Sequence, residues 1–202
     1  MYLYFDIASH TATFALASLK KVLAMKEHLG TVRDDELPDY VERLLHSAKA
    51  SYSDIDHIAC VTGPGGFTSL RVAVTFANVL ADQLQLPLAG VHLADLYSAE
   101  CTDTDVVWIH STKKSEVFVR GVTQEADHWS WPHAVHLPLE DALKSITSSS
   151  WCGELIPEHE EAVQAKGMQK AVLTPLTDTL PTFLYQLEYA QTSIVPWYGR
   201  GW

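Results

Sequence analysis

The stretch Gly63-Pro64-Gly65-Gly66-Phe67-Thr68-Ser69-Leu70-Arg71 decides how this chain is read. It follows the short apolar run Ile58-Ala59-Cys60-Val61 and opens into a long apolar segment with no breaker. That layout predicts a strand, a glycine-rich turn and a helix. Gly65 and Gly66 let the backbone turn sharply and let another group come close, because neither carries a Cβ. Thr68 or Ser69 is placed to cap the helix, and amides at such a helix start suit an anion. Three uses fit this geometry: a phosphate cradle, a plain tight connection, or a surface against which another chain packs.

The helix launched by the turn runs to about Gln85. On a wheel of about 100° per residue, Arg71, Thr75, Asn78, Asp82 and Gln85 form one narrow polar stripe. Leu70, Val72, Ala73, Val74, Phe76, Ala77, Val79, Leu80, Ala81 and Leu84 cover the rest of the cylinder. A surface helix needs an apolar arc of about 100° or somewhat more, and this one has roughly twice that. It is therefore expected to be buried on more than one side, by its own domain or by a second chain. The Ala73-Ala77-Ala81 row permits close helix approach.

Bulk properties narrow the function classes. The 202 residues suit one large domain or two lobes. The 47% hydrophobic and 19% charged fractions are those of a soluble globular protein. With 25 acidic against 14 basic residues the formal charge is −11, which argues against gripping a nucleic-acid backbone alone. No apolar run approaches the ~20 residues that span a bilayer, and the opening Met1 to Asp6 lacks the pattern of a signal peptide. Cys60, Cys101 and Cys152 are odd in number and far apart, which predicts reduced, packed thiols in a cytoplasmic protein.

Along the chain, Tyr2 to Phe5 reads as a strand buried on both faces and ending in Asp6. Thr11 to Ala17 and Lys20 to Lys26 suggest an antiparallel meander. Leu37, Tyr40, Val41, Leu44, Leu45 and Ala48 recur at helical spacing, behind the acidic start Asp34-Asp35-Glu36 and Pro38. Leu86 to Val91 gives another strand. Beyond the polar segment 102–105, strands are expected at Val106–His110 and Val117–Val122, and a Trp- and His-rich hairpin at about His128–His136. A weak helix from Leu139, a strand end at Trp151-Cys152-Gly153, a helix from Pro157 to Lys166 and a last helix from Leu180 to Ala190 follow. No internal repeat is visible. The pattern is α/β with mixed sheets in two lobes, the first over 1–101, rejoined by 180–202, and the second over 102–179.

Catalytic motifs are sparse. The turn lacks the Gly-x-x-x-x-Gly-Lys-Ser/Thr pattern and no lysine follows it. Asp6 could hold a metal–nucleotide complex, but Ile7-Ala8-Ser9-His10 supplies few phosphate donors, and no Asp-x-Gly exists; a structural Asp closing a strand is the stronger reading. His133-x-x-His136 sits in a strand-like region, where residues three apart face opposite ways. His159-Glu160-Glu161 lacks the second His of a helical zinc site. No metal site and no catalytic residue are assigned. Lys113-Lys114 reads as a solvated hairpin turn.

Together these residues resemble the bacterial TsaB (YeaZ) family. Its pattern Gly-Pro-Gly-Ser-Phe-Thr-Gly-Leu-Arg corresponds to residues 63–71, with Gly66 and Ser69 as the two differences. Asp6, Ala15-Leu16, Leu86 to Val91, Glu116-Val117-Phe118 and Pro196-Trp197-Tyr198-Gly199-Arg200 are similar to further family landmarks in the same order. The resemblance implies a two-lobed actin-like ATPase (ASKHA, ribonuclease H-like) fold with a degenerate nucleotide site, of which Asp6 and Ser9 would be vestiges. It implies a non-catalytic subunit that pairs with a TsaD-like catalytic subunit and a TsaE-like ATPase to support threonylcarbamoyl transfer to the adenosine beside the tRNA anticodon. ATP and metal are expected on the partner, and a homodimer when the chain is alone. Departures are Ile7-Ala8 where the family has Thr-Ser, Ser111 where it has Asp, the absence of its His near Val32-Arg33, and a short second lobe.

The expected partner surface comprises Gly65, Gly66, Phe67, Leu70, Ala73, Val74, Phe76, Ala77, Leu80 and Ala81, with Tyr40 and Leu44 from the neighbouring helix. A charge at Ala73 or Ala77 is expected to abolish association while the domain stays folded. The competing expectation is a small ATP-dependent kinase or hydrolase using Asp6 and the 63–71 turn.

Overall fold

A computed structural model describes residues 1–103, 105–113, 115–121 and 133–199. Lys114 of the expected basic turn, the start of the Trp- and His-rich hairpin at 128–132 and Arg200 fall outside the described residues.

The first sheet is formed by β1 (Tyr2–Asp6), β2 (Thr11–Ala17), β3 (Val22–Leu29), β4 (His57–Gly63) and β5 (Leu88–His92). Helix α1 (Leu37–Ala48) joins β3 to β4, and α2 (Phe67–Leu84) joins β4 to β5. Next come α3 (Leu93–Glu100), β6 (Val106–Lys113), β7 (Glu116–Gly121), β8 (Val135–Pro138), α4 (Leu139–Ser145), β9 (Ser150–Cys152), α5 (Pro157–Ala165), β10 (Gln169–Lys170) and α6 (Leu176–Gln186). Both sheets are mixed, as the sequence pattern predicts. The chain divides into a unit built from Met1–His92 and Leu176–Tyr198 and a second built on Leu93–Pro175.

In the first sheet the strand order is β3-β2-β1-β4-β5. β1, β2 and β3 form the antiparallel meander, while β4 and β5 run parallel to β1 and need the helical crossovers α1 and α2. Strand side chains alternate between faces. Leu3, Phe5, Phe14, Leu16, Ile58 and Cys60 face α1 and α2 in one core with Val41, Leu44, Ala73 and Ala77. Tyr4, Ala15, Ala59 and Ala89 are equally buried, and α6 packs against β3 with Leu180 and Leu184 inside.

The second sheet repeats this plan in the order β10-β9-β6-β7-β8, with β6, β7 and β8 antiparallel and β9 and β10 parallel to β6. Val107, Ile109, Val117, Val119 and Trp151 pack on one face against Ala142 of α4 and Val163 of α5. The sequence carries no repeat, but the two sheets have the same topology.

Three expectations are corrected. Residues 93–100 form a helix where none was expected. The last helix begins at Leu176, not Leu180, and ends at Gln186; Pro181 lies inside it rather than at its start. At α2 the N-cap is Gly66, with no side-chain cap bond, so Thr68 and Ser69 lie inside the first turn.

Glu100, at the end of α3, is buried to 8% exposure, and loss of solvation raises its carboxyl from 4.5 to about 7. Because the folded pKa lies above the unfolded one, ionisation opposes folding. No penalty exists below about pH 4.5; it grows as pH rises through 7 and then levels off at about 3 kcal/mol. Glu100→Gln is therefore expected to raise Tm at pH 8 and leave it unchanged at pH 4. An equal Tm shift at both pH values in thermal unfolding would contradict this.

Candidate functional site

The 63–71 stretch does form strand, turn and helix, and what the turn touches explains its glycines. A Cβ on Gly65 would lie 2.5 Å from the Ala8 carbonyl oxygen, and one on Gly63 would collide with the Trp197 carbonyl. Gly63 also has φ +144, a conformation that side chains disfavour. Gly66 N donates to Ala8 O at 3.2 Å. The turn is thus pressed against the loop that follows β1.

Asp6, the last residue of β1, precedes that loop and is 3% exposed. Its Oδ1 accepts from Ala8 N (2.8 Å) and Ser9 N (3.1 Å), and its Oδ2 accepts from the Ser9 hydroxyl. The carboxylate closes its own turn, so Asp6 and Ser9 are brought together as a local structural pair.

Helix α2 has three sides. Leu70, Ala73, Val74, Ala77 and Ala81 face the sheet and are 7% exposed or less. This corrects the expectation that these five present a face to another chain: the surface that the alanine row approaches is the chain's own sheet. Leu44 is likewise fully buried, on α1. A second side carries Asn78 and Phe67 and is covered by the segment 190–198, where Asn78 bonds the Ile194 backbone twice and Tyr198 stacks on Phe67. The third side is open. Val72, Phe76 and Leu80 are half-buried there, Val79 is 56% exposed, and Thr75 is exposed beside them.

A row of rings links α2 to α1. Tyr40 stacks on Phe14 (4.6 Å, 7°), Phe14 lies 6.4 Å from Phe5, and Phe5 meets Phe76 edge-on at 5.6 Å. Such contacts add about 0.5–1.5 kcal/mol each beyond their burial. Tyr40 OH also pairs with His28 Nδ1 at 2.9 Å. Tyr40 and Phe76 are the half-buried ends of a row whose middle is core. Of the expected partner residues, Tyr40, Phe76, Leu80 and the 50%-exposed Phe67 are accessible, as is Gly66, whereas Gly65 is wedged against Ala8. Val72 and Val79 belong to the open edge and were not among the expected interface residues. Their position on the wheel, beside Phe76, was the available signal.

In the second unit Ser111 is buried; its Oγ accepts from Ile156 N (3.1 Å) and pairs with His159 Nδ1 (2.8 Å), which ties β6 to the start of α5. His136 lies in β8, with Nε2 3.3 Å from Glu116 Oε2, and His133 precedes that strand. Lys113 is exposed, 3.8 Å from Glu116. Burial raises the pKa of the Cys60 and Cys152 thiols, which keeps them protonated.

A model of the TsaD family, tRNA N6-adenosine threonylcarbamoyltransferase, matches residues 26–127, half of the chain. The chain belongs to the TsaD/TsaB (YeaZ) family. The tRNA N6-adenosine threonylcarbamoyltransferase of Clostridioides difficile (strain 630) is 42% identical over 52 residues, 26% of this chain and 15% of that protein. The tRNA threonylcarbamoyladenosine biosynthesis protein TsaB of Buchnera aphidicola subsp. Schizaphis graminum is 24% identical over 86 residues, 43% of this chain and 41% of that one. The matched stretches therefore span well under two thirds of these curated relatives. YeaZ from Pseudomonas aeruginosa superposes with a TM-score of 0.70 at 21% identity, covering 98% of both chains. That likeness carries the fold, an actin-like ATPase fold with two mixed five-stranded sheets.

The glycine turn of this chain is thus held by close backbone contact. Gly65→Ala is expected to cost about 1–3 kcal/mol through overpacking against Ala8. Ala77→Glu is expected to cost roughly 3 kcal/mol or more by burying an unpaired charge. Both losses are read from chemical denaturation; a stable, folded Ala77→Glu variant would contradict the placement of α2.

Proposed function

We propose that this chain is a non-catalytic, TsaB-like subunit of the machinery that transfers a threonylcarbamoyl group to the adenosine beside the tRNA anticodon. It associates with a TsaD-like catalytic subunit through the open edge of α2, acts alongside a TsaE-like ATPase in the cytoplasm, and pairs with a second copy of itself when alone. The observation that carries this reading is the apolar edge of half-buried Val72, Phe76 and Leu80 around the exposed Val79, the side of the helix that neither the sheet nor the 190–198 segment closes. Family membership supplies the class of partner, and the net charge of −11 leaves tRNA contact to that partner. Among the described residues no helix is long and apolar enough to cross a membrane.

The engagement of the Asp6 carboxylate with Ala8 and Ser9 weighs against an ATP-dependent enzyme built on Asp6 and the glycine turn. ATP and metal are assigned to the partner.

Thr75→Glu with Val79→Glu places two charges on the open edge. Association with a TsaD-like protein from the same cell is expected to fall at least tenfold in sedimentation, while stability changes by no more than about 0.5 kcal/mol per site. Unchanged association would overturn the reading. Titration calorimetry of the isolated chain with ATP and magnesium is expected to give no binding heat; saturable binding would instead favour the enzyme.

A further inference from the structure

The 190–198 segment has no helix and no strand of its own, yet it is pinned to the first unit at four points. Ala190 exchanges two backbone hydrogen bonds with Leu88 of β5, at 2.9 and 3.1 Å. Asn78 Nδ2 donates to Ile194 O and Ile194 N donates to Asn78 Oδ1, both at 2.9 Å. Trp197 N donates to Thr62 O at 2.8 Å, and its ring meets His92 edge-on at 4.6 Å. Tyr198 stacks on Phe67 at 4.9 Å, and the Arg71 guanidinium lies 4.8 Å from the same ring.

Two of these points are on α2 and two are on the sheet, so the segment ties the helix to β4 and β5 from outside. Phe67 and Asn78 lie about 16 Å apart along the helix axis, at a rise of about 1.5 Å per residue. Fixing a rod at two such points sets both its axial position and its rotation. Beyond the turn that fixes its start and the Phe5–Phe76 contact, α2 has few directional contacts to set them. Its sheet-facing side is mostly Ala73, Ala77 and Ala81, small knobs that allow close approach but offer little resistance to sliding. Its first turn has no side-chain cap. The directional bonds of Asn78 supply what the alanine face lacks.

We propose that the 190–198 segment is a clasp that sets the position of α2, and that the apolar edge of α2 binds its partner only while the clasp is closed. The second half rests on the reading of that edge as the partner surface. It gives the Pro196-Trp197-Tyr198 stretch a role: Trp197 anchors on the end of β4, and Tyr198 delivers its ring to the first residue of α2.

Asn78→Ala removes both bonds to Ile194 and opens the clasp in the middle, and Tyr198→Ala opens it at the end. In the isolated chain, hydrogen exchange is expected to speed up at least tenfold at Ile194 and Trp197 in Asn78→Ala. The first two turns of α2, residues 67–74, are expected to speed up with them, while α1 stays unchanged. Association with the TsaD-like protein is expected to weaken about tenfold in each variant, and the double variant to lose less than the product, because both open one clasp. Fast exchange confined to 190–198, with α2 unchanged, would overturn the clasp. Full affinity with the clasp open would overturn its coupling to the partner. If Thr75→Glu with Val79→Glu leaves association intact, the partner surface lies elsewhere and the coupling falls with it. The exchange pattern of the isolated chain then still decides whether the segment holds α2. Should Asn78→Ala fail to fold, Tyr198→Ala carries the same measurements.

Discussion

The fold of the first unit turns on a place where backbone meets backbone with no side chain between. Gly65 is pressed onto the carbonyl of Ala8, and Gly63 onto that of Trp197. Three stretches far apart in sequence meet there: the loop after β1, the start of α2, and the 190–198 segment. A single Cβ at either glycine would separate them. The same contact occupies one of the amides that a phosphate loop would turn toward its ligand. A phosphate cradle needs its amides turned toward the ligand, but Gly66 N is spent on Ala8 O, and the nearby carboxylate of Asp6 is bound into its own turn by Ala8 and Ser9.

Once the turn is fixed, the three sides of α2 meet three different surroundings. The alanine side carries the core, the Asn78 side carries the clasp, and the Val72–Phe76–Val79 side carries exposed apolar area. An exposed Val beside a half-buried Phe is ordinary when isolated. Here both lie on one continuous helix edge, at the end of the ring row that runs from Tyr40 through Phe14 and Phe5. That row braces Phe76 from beneath, so a partner would meet a rigid surface rather than a loose side chain, and rigid anchors lose less entropy on binding.

Much of the fold was legible in the sequence because local pattern dictates it. The strand–turn–helix at 58–84, the helix at 37–48 and the meander at 2–29 each follow from periodicity and breakers within a short window. What was not legible is long-range. The double contact of α2 was anticipated from its wide apolar arc, but the cover on its polar side comes from Ile194, more than a hundred residues from Asn78, and no window contains both. The alanine row permits close approach to any surface, and spacing alone does not distinguish a sheet from a second chain. α3 escaped notice because its eight residues follow β5 directly, without a turn signal. Proline favours the first turn of a helix, yet Pro181 is the sixth residue of α6, buried where the helix packs.

The repeated sheet order shows most clearly what is special to the first unit. Both sheets place a helix between their fourth and fifth strands, α2 in one and α5 in the other, yet the two differ in length by half. The nine residues of α5 span about 13 Å, and the helix is tied to its sheet by the buried pair Ser111–His159. The eighteen residues of α2 span about 27 Å, more than the ~23 Å of the seven-residue β4 beneath it. A helix longer than its strand cannot be covered by that strand alone. The overhang is only about 4 Å, and the two helices differ more in how they are held: the 190–198 segment bonds α2 at Asn78, while Val79 on its other edge stays exposed. The topology was therefore free to repeat without a sequence repeat, because backbone pairing sets strand order, while the crossover helices are free to differ in length and in what holds them to their sheets.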